Sequence, residues 1–135
     1  MNAATRLAVA VLFSLFAAVA QAAKPLPYGA TAAEIVLLPD FCQARLGGMN
    51  TELYRRWNER MGPDKFVHLH HYCHGLRFMS RYRAAVDDQL RRGYLQAAAG
   101  EFNYVLQRWP DGFALKADAK ARKAEAEAAL RRLTP

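Results

Sequence analysis

The stretch from Asp64 to Ala84 carries apolar side chains on two faces of one helix, and this constrains the fold more than any other feature of the chain. Projected at about 100° per residue, Phe66, Leu69, Tyr72, Cys73, Leu76 and Met79 fall on one face, and Val67, His71, His74, Phe78 and Tyr82 on another. A helix on the surface of a domain needs a single apolar stripe. Two stripes predict a helix packed between an earlier element and a later one, with Cys73 facing the N-terminal part of the chain and His71 and His74 facing the C-terminal part.

The flanking segments supply helical partners. No apolar residues alternate for long enough to propose a sheet, so the reading is all-α with about five helices. Thr31 and Glu34 have the spacing of a capping box, and Pro39 must bend or end the short helix that begins there. A second short helix is predicted over Asp40 to Leu46, carrying Cys42 and stopped by Gly47-Gly48. Asn50 or Thr51 then caps a helix to Met61, closed by Gly62-Pro63. After the two-faced helix, another runs from about Asp88 to Trp109 until Pro110-Asp111-Gly112 breaks it. The last, from about Lys116 to Leu133, is rich in alanine and mixed charge. Its strong propensity and thin apolar stripe suit a terminal cap.

The first 22 residues have the form of a signal peptide: Arg6, an apolar run of fourteen residues from Leu7 to Ala20 interrupted only by Ser14, and the small-x-small site Ala20-Gln21-Ala22. Cleavage near Ala22 is expected, followed by a flexible leader over 23–30 and a single α-helical domain over 31–135. Fourteen residues fall short of the roughly 20 a membrane-spanning helix needs, so the mature chain is expected to be soluble, periplasmic or secreted. In such a compartment two cysteines predict one disulfide, Cys42 to Cys73. The formal charge of +7 becomes +6 without Arg6, and the arginines are dispersed rather than packed into a tract. For an exported chain this favours an acidic partner or a weak association with anionic surfaces over nucleic acid.

Two half-motifs give the chain a family resemblance. His71-x2-His74-Gly75-x2-Phe78 and Ala98-x3-Phe102-x2-Val105-x4-Pro110 resemble the two halves of one tetratricopeptide repeat. Histidines stand at two signature positions that usually carry large or apolar residues. Gly75 and Ala98 are 23 residues apart, more than in an ordinary repeat, so both helices must be lengthened at their joined ends. If the two small residues face each other, the turn falls near Val86 to Asp88, with Asp87 or Asp88 as N-cap. The resemblance implies an elongated helical hairpin over about 64–110, with flanking helices. It also implies a non-enzymatic adaptor binding another envelope protein or peptide, in which His71, His74, Gly75, Phe78, Ala98, Phe102, Val105 and Pro110 serve packing.

All four histidines lie in the run His68-Leu69-His70-His71-Tyr72-Cys73-His74, which leaves a second reading open. His70, His71 and His74 sit at spacings from which imidazoles on one helix face can reach a copper or zinc ion, with Met79 as a soft ligand for reduced copper. No second segment adds ligands at a telling spacing. His70-His71-Tyr72-Cys73-His74 also resembles a c-type haem attachment sequence whose first cysteine is replaced by histidine, without an evident axial partner. The sequence contains no nucleophile elbow, no zinc-protease helix and no phosphate loop, and neither an enzymatic activity nor a cofactor is expected.

Overall fold

Thr31 starts the first helix by capping it: its hydroxyl accepts from the Glu34 amide at 3.2 Å, and the Glu34 carboxylate accepts from the Thr31 amide at 2.9 Å. The computed structural model describes residues 27–133; the expected signal peptide, its cleavage point and the first leader residues lie outside the described residues. Helix α1 covers Ala32–Val36, and Pro39 precedes α2, Asp40–Leu46, which ends at Gly47. Thr51 caps α3, Glu52–Met61, and Gly62, at φ +90°, turns the chain into α4, Pro63–Phe66. Three long helices complete the chain: α5 over Leu69–Ala84, α6 over Asp88–Arg108 and α7 over Ala114–Leu133. Asp87 caps α6, its carboxylate accepting from the Leu90 amide at 2.8 Å. The described residues are thus all-α, with no strand; they form seven helices, of which α1 and α4 are single turns, near the expected number of about five.

The helix predicted over Asp64 to Ala84 is broken at Val67 and His68. Tertiary donors account for the break. Trp109 Nε1 donates to the Lys65 carbonyl at 3.0 Å, while Arg45 donates to the Phe66 carbonyl at 3.2 Å and to the Val67 carbonyl at 3.3 Å. Carbonyls with partners outside the helix no longer need the intrahelical ladder. Val67, placed by periodicity on a packed face, is half-exposed as a consequence.

Helix α5 lies in the middle of the fold. On one side the Cys42–Cys73 disulfide joins it to α2, with the two Cα atoms 5.5 Å apart and both residues buried. On the other it forms an antiparallel hairpin with α6 through the short turn at Ala85–Asp87, and α7 packs on α6. The hairpin seam is tight at Gly75: a Cβ there would meet three atoms of the Phe102 ring at 2.6, 2.7 and 2.9 Å. The ring, itself fully buried, therefore occupies the volume that any side chain at position 75 would need. Ala98, Phe102 and Val105 on α6 are fully buried. Helix α7 contributes Ala119, Ala126 and Ala129, small side chains that bring two helix backbones together over a thin apolar stripe.

Candidate functional site

His70, His74, Arg77 and Arg81 form one row along α5, each three or four residues from the next. His74, Arg77 and Arg81 of that row face the non-helical segment Pro27-Tyr28-Gly29, and the two guanidinium groups hold its backbone. Arg81 donates to the Pro27 carbonyl, Arg77 to that of Tyr28, and both to that of Gly29, at 3.1 Å from Arg77 and 3.0 Å from Arg81. Three consecutive carbonyls are thus taken by side chains of a single helix. Arg81 also grips the Glu34 carboxylate with two nitrogens, Nη2 at 2.9 Å from Oε2, so the residue that completes the α1 capping box doubles as counter-ion of the clamp.

The Tyr28 side chain fills the adjoining recess. Its ring lies 4.8 Å from the His74 ring and meets Phe78 edge-on at 5.8 Å. Its hydroxyl donates to Glu101 Oε1 at 2.6 Å, and Glu101 Oε2 pairs with His71 Nδ1 at 2.7 Å. His71 in turn stacks on Tyr104 at 3.6 Å between centroids. A glutamate of α6 is thereby shared between the N-terminal segment and the histidine run.

The environment sets the ionisation of these groups. The hydrogen bonds from Arg81 hold the Glu34 carboxyl down at about 2, well below the usual carboxylate range. Burial, reinforced by the Arg77 guanidinium, pushes His74 down to about 4, so the ring is neutral at pH 7 and its Nδ1 accepts from Arg77 at 3.1 Å. Burial and the bond to Glu101 raise the Tyr28 hydroxyl. Arg77 is 1% exposed; its hydrogen-bond partners are all neutral, two carbonyls and an imidazole, its guanidinium lies 4.5 Å from the Phe78 ring centroid, and its Nε has no hydrogen-bond partner. Glu34 and Glu101 favour its charge only at longer range.

Gly75, Phe78, Ala98, Phe102 and Val105 are buried as expected of packing residues, but Pro110, also expected to serve packing, is exposed. His71 meets Glu101 and Tyr104 of α6, whereas His74, expected to face the C-terminal part of the chain, meets Tyr28 and Arg77. Each histidine uses a ring nitrogen on a charged side chain rather than serving as an apolar spacer. His70 places Nδ1 2.9 Å from the Val67 carbonyl and 3.2 Å from Arg45, and burial with neighbouring His71 and Arg45 lowers its affinity for a proton. The rings of His70 and His71 are 4.1 Å apart, those of His70 and His74 6.4 Å. Arginines contact two of the three rings, placing cations where a metal would need anions or neutral donors. Among the described residues no group of three or more His, Cys, Asp or Glu is arranged to hold a metal ion. Met79, proposed as a soft ligand, is buried in the apolar core, and Cys73 is in the disulfide.

Sequence reasoning passed over Tyr28, Arg77, Arg81 and Glu101. The available signal was the row itself: two arginines four residues apart, in register with His70 and His74. Set against protein-family models, curated proteins and solved structures, the chain matches none.

Proposed function

We propose that the protein is an exported, non-enzymatic helical module that binds an extended segment of another protein in the bacterial cell envelope. The observation that carries this reading is the row of α5 side chains holding three consecutive backbone carbonyls and one aromatic ring. Carbonyls spaced along a chain are the signature of a polypeptide, and donors matched to them suit a peptide better than a small metabolite. Export is supported by the apolar N-terminal run with its Ala20-Gln21-Ala22 site and by a disulfide, a bond that persists in oxidising compartments.

Two measurements test the reading. Mass spectrometry of the periplasmic product should give a chain starting at Ala23 and lighter by two hydrogens than the dithiol; retention of the leader in the cytoplasm rejects export. A benzophenone side chain introduced at exposed Ala33, beside the clamp, should give discrete adducts with an envelope protein on illumination of exporting cells. Adducts absent at Ala33 and at other exposed positions around the segment would reject the binding module.

A further inference from the structure

We infer that the clamp on α5 is an exchangeable site: Pro27-Tyr28-Gly29 fills it in cis, and a tyrosine-bearing extended segment of another envelope protein replaces it in trans. The inference rests on the binding reading above and names the chemistry of its ligand. Pro27 and Gly29 contribute carbonyls, and only Tyr28 adds a side chain, through its ring and hydroxyl. A Cβ built on Gly29 meets nothing within 4 Å, so the residue after the tyrosine is free to vary. Any segment that places a tyrosine ring against His74 and Phe78 presents the same three carbonyls to Arg77 and Arg81.

The hold on the cis segment is polar rather than apolar. Tyr28 is 51% exposed even when seated, so little apolar surface returns to water on release. Arg77, by contrast, is buried and takes two of its three acceptors from this segment. Release without replacement trades those bonds for bonds to water, whereas another extended segment restores them. The favoured event is therefore substitution of one segment by another. Glu101 sets the selectivity. Its Oε1 accepts the tyrosine hydroxyl, so phenylalanine loses that bond and phosphotyrosine brings like charges together. The tether adds a competitor at high effective concentration: only Ala30 separates Gly29 from the Thr31 cap, so a free peptide meets an almost always occupied site.

The test titrates fluorescent acetyl-Lys-Pro-Leu-Pro-Tyr-Gly-Ala-Thr-amide, the cis sequence itself, into the full mature chain. Tyr28→Ala should bind the peptide at least about tenfold more tightly than wild type, because the competitor has lost its anchor. Peptides with Phe in place of Tyr should bind several-fold more weakly, and those with phosphotyrosine or Ala should not bind. If Tyr28→Ala proves unfolded by circular dichroism, Tyr28→Phe keeps the ring and should show a smaller gain of the same sign. Peptide that fails to bind a folded Tyr28→Ala or Tyr28→Phe chain overturns the inference, as does equal binding of the Ala peptide. A wild-type dimer that forms with rising concentration and disappears in Tyr28→Ala would assign the site to a second copy, also overturning it. Crosslinking at Ala33 reports separately: adducts without peptide binding leave the interaction module standing on another surface, and peptide binding without adducts removes the envelope partner.

Discussion

The two sides of α5 are held by different physics. Toward α2 the helix presents buried Cys73 and Tyr72, the latter against Phe41, and a covalent bond closes the contact. Toward the N-terminal segment it presents His74, Arg77 and Arg81, and the contact consists of hydrogen bonds to carbonyls around a half-exposed tyrosine. Both sides order a neighbouring piece of chain. The first fixes it, since a disulfide and dry packing have no competing partner in solution. The second holds it with groups that any polypeptide can supply, which is why it suits recognition. Two apolar stripes predict a helix sandwiched between helices; one stripe is instead interrupted by cations that bind backbone.

The contrast is most directly broken on the covalent side. Replacing Cys42 and Cys73 together by alanine, or reducing the bond, should cost about 3 to 4 kcal/mol by the loop-closure model for a separation of 31 residues. Urea titration of oxidised and reduced protein measures it; a loss under about 1 kcal/mol would mean that packing alone fixes α2 to α5. Gly75→Leu in the hairpin seam should cost about 1 to 3 kcal/mol or more, because the buried Phe102 ring occupies the space a side chain needs. Ala98→Leu, at a fully buried position of α6, should act in the same direction. Unchanged melting temperatures for both would contradict the tight seam.

Acid should act mainly on the polar side. His74 titrates at about 4 in the fold against 6.5 when unperturbed, so between these values the unfolded chain binds more protons and stability falls as pH drops. Glu34, at about 2 against 4.5, adds stability that is present above pH 4.5 and is lost as pH falls toward 2. Each contribution is on the order of 1 to 3 kcal/mol, less the screening of a partly exposed pair for Glu34. The urea midpoint should therefore decline from pH 7 to pH 3, with His74→Leu flattening the upper part of the curve and Glu34→Gln the lower; a flat wild-type profile would argue against both environments. The smallest effect is expected at His71. By the tetratricopeptide resemblance, leucine there should be neutral or stabilising, but the contact with Glu101 reverses the sign. His71→Leu should cost about 1 to 2 kcal/mol, since a largely buried carboxylate loses one partner, and Glu101→Gln should reduce that cost in a double-mutant cycle. Additive losses would mean that the two side chains are not coupled.

Local chemistry along the sequence determined the helix ends at Thr31, Pro39, Thr51, Gly62-Pro63, Asp87 and Pro110-Gly112, because a cap or a stop depends on residues within a turn of itself. It also determined the disulfide pairing, there being two cysteines, and the position of the hairpin turn, which is set by where the small residues stand on each helix. The break at Val67-His68 was decided by Arg45, about twenty residues earlier, and Trp109, about forty later, whose donors took the carbonyls an uninterrupted helix would have used. The clamp was likewise decided in three dimensions. Helical spacing puts Arg77 and Arg81 in one row, but Tyr28 and Glu34 reach them, and Glu101 reaches Tyr28, from separate parts of the chain. Periodicity sorts side chains by face; which side chain an arginine meets across that face depends on packing between segments that share no local sequence.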